Sequence, residues 1–211
     1  MNITKYNHAC LVIEKGGQRL VIDPGVWSDD FVAPENVIGI MITHEHPDHL
    51  DTAKLNAIVE QSPAAVVYAH ADVIAKIEGY TAQAVRADET VKVGDFTVRF
   101  TGGQHATIHP SYPTIANLGV VVDDALYYPG DSFSLPEATI HTLALPVAAP
   151  WMKIAEAMDF LSAVKPIRVF PTHDAILSQT GQELVDRMLS AVAEQTGAHY
   201  ERLSNGVAIE L

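Results

Sequence analysis

The chain is predicted to be an α+β protein in which two β-sheets face each other and helices lie outside them. Three observations lead there. Short apolar runs punctuated by Gly and Pro turns dominate the earlier part, while strand, helix and strand alternate in the later part. Each part also carries helices that need a sheet face to bury their apolar side. No linker, low-complexity tract or charge block separates the two parts, so residues 1–211 are expected to form a single domain with a substantial core.

In chain order, Cys10 to Ile13 and Leu20 to Ile22 flank the turn Lys15-Gly16-Gly17-Gln18 and read as a hairpin that ends at Asp23-Pro24-Gly25. Val37 to Ile42 is an apolar run suited to a buried strand. Asp51-Thr52 offer a cap for a helix over about Ala53 to Gln61. A strand over Ala64 to Tyr68 and a short helix over Asp72 to Ile77 follow. Thr90 to Thr101 form two strands around Gly94-Asp95, and Asn117 to Tyr128 a hairpin through Asp123-Asp124. Thr139 to Leu145 is a strand, Lys153 to Val164 a helix with apolar residues at helical spacing, and Ile167 to Phe170 a strand. A last helix from about Gln182 to Gln195 stops before Gly197, and Gly206 to Leu211 closes as a strand.

Bulk properties narrow the function. The net charge of −13 and pI near 5.0 disfavour binding to a phosphate backbone, so no nucleic-acid partner is expected. Cys10 is the only cysteine, which removes any internal disulfide. No apolar run approaches a membrane span and the N-terminus lacks a basic, then apolar, leader; a cytoplasmic protein with no membrane partner is expected. The sequence leaves a homo-oligomer open.

The chemistry concentrates in His44-Glu45-His46-Pro47-Asp48-His49, directly after the Val37 to Ile42 run. Imidazole and carboxylate together suit zinc, manganese or iron. His44 and His46 would project to one side of an extended backbone, and Pro47 would turn Asp48 and His49 toward a second, adjacent position. A surface loop explains one histidine easily, but not four ligand-type side chains in H-x-H-x-D-H. Three further candidates each follow an apolar strand: His105 after Gly102-Gly103, Asp131 after Gly130, and His173 after Pro171-Thr172. The two glycines are expected to let the backbone approach a charged centre.

These pieces, in this order, resemble the metallo-β-lactamase-fold superfamily, whose members are mostly two-metal hydrolases; its HxHxDH motif is followed by a lone His, an Asp in a GD pair and a final His. The resemblance spans His44 to His173 and implies a four-layer αβ/βα sandwich with two facing mixed sheets. It also implies two divalent ions, zinc before manganese or iron, held by His44, His46, Asp48, His49, His105, Asp131 and His173, with Asp131 bridging. A finer likeness points to small proteins similar to ascorbate-6-phosphate lactonase, through Asn7-His8-Ala9, Ile22-Asp23-Pro24 and Leu145-Pro146 ahead of a helix. Ala148 and Ala149 replace glycines of that branch, and Asn7 stands where many relatives have glycine.

Such a site implies hydrolysis. Two metals about 3.5 to 4 Å apart share a water, lower its pKa and present hydroxide to an electrophile, while Asp48 orients it and later carries its proton. Asp23, Asp51 and Thr43 are candidates to hold the ligand histidines. His8 and His109 are candidates for substrate or supporting contacts, and Trp151, Met152 and Tyr112 for an apolar wall. A β-lactamase is disfavoured because Cys10 lies far from every ligand motif. The expected substrate is a small ester or lactone; a small phosphodiester, or a non-hydrolytic metal-binding or redox role on the same scaffold, stands as the alternative.

Overall fold

Residues 1–211 are described by a computed structural model. One sheet has the order β14-β1-β2-β3-β4-β5-β6, with β1 at Asn2–Tyr6, β2 at Cys10–Lys15, β3 at Gln18–Ile22, β4 at Val37–Ile42, β5 at Val66–Ala69, β6 at Ala82–Ala84 and β14 at Ala208–Glu210. The other runs β13-β12-β11-β10-β9-β8-β7, with β7 at Thr90–Val93, β8 at Phe96–Gly102, β9 at Leu118–Val122, β10 at Leu126–Tyr128, β11 at Thr142–Pro146, β12 at Arg168–Thr172 and β13 at His199–Tyr200. Both sheets are mixed: β3 to β6 pair in parallel, as do β10 to β13, and the remaining pairs are antiparallel.

Alternation along the strands builds three apolar layers. Leu11 and Ile13 of β2, Met41 of β4, Val120 and Val122 of β9 and Phe170 of β12 point between the sheets. Their neighbours Cys10, Val12, Ile40 and Ile42 face the other way and meet Leu55 and Ile58 of α1 (Thr52–Gln61) and Val73 of α2 (Ala71–Ile74). Leu143, Leu145 and Val169 meet Phe160 and Leu161 of α3 (Ile154–Val164) and Val185 and Leu189 of α4 (Gln179–Thr196). Each large apolar side chain buried in this way contributes roughly 1.5–3 kcal/mol. The result is the αβ/βα sandwich. No helix is long and apolar enough to cross a membrane.

Several elements differ from the expectation for physical reasons. β1 carries Thr4 and Lys5 among its residues and so shows no apolar run; Lys5 is buried by pairing with Asp174 at 3.0 Å. Ala82–Ala84 is an exposed edge strand with no alternation to read. α4 starts earlier than expected because Ser178 caps it, accepting from Gly181 N at 3.2 Å, and it ends at left-handed Gly197 as anticipated.

The functional end of the sandwich lies where β3, β4, β10 and β12 finish. Two backbone bonds tie the sheets together there: Leu118 N donates to Thr43 O at 2.9 Å and His173 N to His8 O at 2.8 Å. The loop after β3 is pressed against the turn after β4, so a Cβ on Gly25 would lie 1.8 Å from the carbonyl oxygen of Asp48. Backbone cannot yield cheaply. Gly25→Ala is expected to displace the Asp48-His49 turn and lower metal affinity at least ~10-fold, the scale of losing a supporting contact. Competition against a chelator measures this, and wild-type affinity would show that the turn can adapt.

Candidate metal centre

β4 delivers Thr43 and His44 to the sheet end, and the Pro47 turn brings back Asp48 and His49. β8 and β10 lead to His105 and Asp131, and β12 leads to His173, which adopts a left-handed backbone (φ 57). A strained non-glycine residue held at such a point needs surroundings that fix it. The side chains collect in two groups, His44, His46, His105 and Asp131 in one, and His8, Asp48, His49 and His173 in the other; within each, the ligand-type atoms lie within 4.8 Å of one another. Asp131 stands between them: its Oδ1 is 3.2 Å from His49 Nε2, and its Oδ2 is 3.4 Å from His105 Nε2 and 3.1 Å from His173 Nε2.

Hydrogen bonds on the far side of each ring decide which nitrogen is free. His49 Nδ1 faces Asp23 Oδ2 at 2.7 Å, His173 Nδ1 faces Ala148 O at 2.6 Å, and His105 Nδ1 faces Ala106 O at 2.5 Å. Each partner can only accept, so each Nδ1 carries the proton and leaves an Nε2 lone pair aimed inward. Thr43 Oγ1 donates to Asp23 Oδ2 at 2.6 Å and is thereby left to accept from His44 Nδ1 at 3.0 Å. His8 is the exception. Ala175 N donates to its Nδ1 at 3.2 Å, so in the neutral ring the proton sits on Nε2, 3.3 Å from Asp48 Oδ2. That nitrogen is a donor and has no lone pair to give.

A cation fits this arrangement. His49 Nε2, His105 Nε2, His173 Nε2 and Asp131 Oδ1 are buried and make no hydrogen bond, although they lie 3.1–3.4 Å from oppositely charged groups. Their lone pairs point at shared space rather than at one another. Buried polar atoms are otherwise almost always paired. The charges agree: burial opposes ionisation of Asp131, yet His49 and His173 hold its pKa well below the usual carboxylate range. Burial likewise lowers His173, but Asp131 and Asp48 draw it upward, so without a cation a proton would compete for its Nε2. The carboxylates are pulling positive charge into the centre.

Asp23 is fully buried and accepts from Thr43 N (2.8 Å), Thr43 Oγ1 and His49, so it organises the whole turn after β4. Asp51, expected beside it, instead caps α1 through Ala53 N at 2.9 Å, because the turn leaves it outside the centre. The Gly102-Gly103 pair adopts positive φ (83 and 126), and a Cβ on Gly103 would meet nothing closer than 3.9 Å; the pair serves a backbone bend, not close approach to charge. His109 is exposed, with Nδ1 accepting from Ser111 N at 3.1 Å, and lines neither of the cavities beside the centre. Met152 packs among the outer apolar side chains, whereas Trp151 lines the mouth. The loop bearing Ala148 and Ala149 acts on His173 through a backbone carbonyl, which alanine supplies as well as glycine.

Two contacts that support Asp131 are not legible in the sequence. Asn117, fully buried, accepts from Asp131 N at 3.0 Å and donates to Pro129 O at 2.9 Å, fixing the turn that presents Asp131. Trp151 Nε1 donates to Asp131 Oδ2 at 2.7 Å. Nothing local in the sequence marks either contact.

Fold and site together define a protein of metallo-β-lactamase architecture with a candidate centre for metal ions. Residues 2–173 match the family described as Beta-lactamase superfamily domain, and the chain belongs to that superfamily. Among its relatives, Protein Rv0786c of Mycobacterium tuberculosis is 42% identical over 183 residues, covering 84% of this chain and 86% of that one. A UPF0173 metal-dependent hydrolase of Methanocaldococcus jannaschii is 25% identical over 185 residues, covering 81% and 83%. Igni18, a metallo hydrolase from the archaeon Ignicoccus hospitalis, shares the fold with a TM-score of 0.76 at 18% identity, covering 100% of this chain and 98% of that one.

Proposed function

We propose that the chain hydrolyses a small ester or lactone, using two divalent cations with zinc as the leading candidate. His44, His46 and His105 would hold one, Asp48, His49 and His173 the other, and Asp131 would offer one oxygen to each. The convergence of four buried, unpaired ligand atoms supports this reading above all else. When bound, such a pair of ions acidifies a shared water and polarises the carbonyl under attack.

The chain's own groups do the rest. Asp48 is the only carboxylate of the set that is not fully enclosed, its side chain 15% exposed at the mouth, which lets it accept a hydrogen bond from the attacking water and later pass a proton to the leaving oxygen. His8 holds Asp48 as that acceptor through Nε2–H. Thr43, Asp23 and the carbonyls of Ala106 and Ala148 keep the imidazole lone pairs aimed inward.

The role of His8 separates support from ligation. His8→Ala is expected to keep the full metal content while lowering kcat about 10–100-fold, with partial recovery in His8→Gln, whose amide can donate to Asp48. Loss of one metal equivalent in both variants would instead make His8 a ligand. The wider proposal is tested by metal analysis combined with lactone, thioester and phosphodiester substrates. Turnover of the lactone class by the zinc-loaded protein is the expected result; no turnover of any of these substrates, with the iron-loaded protein cycling its metal's oxidation state under oxygen, would end the hydrolase reading.

A further inference from the structure

Beyond the reacting centre, the mouth of the site has walls of one chemical character. We propose that it takes an uncharged substrate whose apolar substituent lies among Trp27, Ile108, Trp151 and Ile176; the identity of the reacting group rests on the function proposed above. The mouth is a cavity of about 230 Å³, and apart from the centre's own His and Asp residues its lining is those four side chains and Pro150. Trp27 and Ile176 are 41% and 49% exposed on the rim. Large apolar side chains left open beside a reactive centre mark a surface that something apolar covers.

Trp151 is fixed in advance, and Trp27 is supported on one side. Trp151 is pinned by its bond to Asp131 and packs edge-on against Phe133 at 5.0 Å, while Trp27 stands edge-on to His8 at 4.8 Å. A preformed aromatic wall binds without first paying for its own ordering.

Charge argues the same way. No Lys or Arg lines the mouth. An adjoining cavity of about 150 Å³ shares His46, His105 and Ile108 with it and adds Tyr112, Pro113 and Ile115. Its single charged lining residue is Glu45, already paired with Lys76. A carboxylate or phosphate on the substituent, lying along these walls and away from the reacting centre, would therefore be desolvated with no Lys or Arg to meet it, in a chain of net charge −13.

The test uses the protein's only two tryptophans, Trp27 and Trp151, as reporters, since both line the mouth. Zinc-loaded protein is titrated with three ketones that have no scissile bond: cyclopentanone, its hexyl derivative, and the same derivative with the tail ending in a carboxylate. The hexyl ketone is expected to bind at least ~10-fold more tightly than cyclopentanone, from burial of several methylenes. The carboxylate should lose most of that gain. Ile176→Lys, a change at a half-exposed position that should leave folding intact, is expected to reverse the order of the two tailed ketones. Equal binding of all three, or tightest binding of the carboxylate to the unaltered chain, would overturn the inference. Turnover of γ-decalactone and γ-butyrolactone separates it from the proposed reaction. If both are cleaved with equal kcat/KM, hydrolysis stands and the apolar subsite falls. If the hexyl ketone binds as expected while neither lactone is cleaved, the subsite stands and the proposed reaction falls.

Discussion

Asp131→Ala is expected to remove at least one metal ion per chain and to lower activity by ~100-fold or more, because one side chain faces both groups. Its two oxygens lie 3.1–3.4 Å from three imidazole nitrogens, none of which makes a hydrogen bond. Its position is over-determined: Asn117 holds its backbone, Trp151 its Oδ2, and only 3% of the residue is exposed. Neighbouring groups therefore cannot move in to replace it. Asp131→Asn keeps one oxygen and should fall between the two. Elemental analysis after gel filtration reads the outcome, and unchanged metal content in Asp131→Ala would contradict the assignment.

Asp23 carries the second large effect, although it is not itself a proposed ligand. Asp23→Ala would leave the buried donors Thr43 N and Thr43 Oγ1 without their acceptor and His49 Nδ1 with only the Tyr128 hydroxyl, 3.3 Å away, at about 3–5 kcal/mol in total. Against a typical total of about 5–15 kcal/mol, that is enough to unfold much of the protein at moderate temperature. Asp23→Asn is the sharper experiment. If its oxygen keeps the bond to Thr43 N, its NH2 group replaces the oxygen that accepts from His49 Nδ1. His49 must then move its proton to Nε2, the nitrogen aimed at the metal. Zinc affinity is expected to fall about 10–100-fold, with a much smaller drop in Tm than for alanine. Wild-type zinc affinity in Asp23→Asn would show that the tautomer of His49 does not matter.

The parts of this molecule that were legible in its sequence are those whose cause is local. Val37–Ile42 reads as a buried strand because both faces of β4 are covered, and a strand followed at once by ligand-type residues already tells where those residues sit. The same logic found His105, Asp131 and His173, and their order carried the family resemblance. Contacts between distant segments could not be read. The proton position on His8 depends on Ala175, 167 residues away; the presentation of Asp131 depends on Asn117 and Trp151, 14 and 20 residues away. Asp51 reads both as a helix cap and, by its nearness in sequence, as a partner for a ligand; the turn after Pro47 keeps only the cap. Asn7 is the reverse case, a departure from glycine that the backbone tolerates: its φ is 44, a left-handed conformation open to asparagine. Strands such as Asn2–Tyr6 and Ala82–Ala84 stayed hidden because buried pairing or an exposed edge replaces the apolar alternation that identifies a strand.

Anomalous scattering from crystals of the zinc-loaded chain, collected across the zinc absorption edge, tests the central claim most directly. Two peaks are predicted, one at roughly 2.0–2.2 Å from the nitrogens of His44, His46 and His105 and one as close to Asp48, His49 and His173, with an Asp131 oxygen on each and His8 Nε2 bonded only to Asp48. Zinc bound elsewhere, or a centre that stays empty while its imidazoles remain converged, would contradict it.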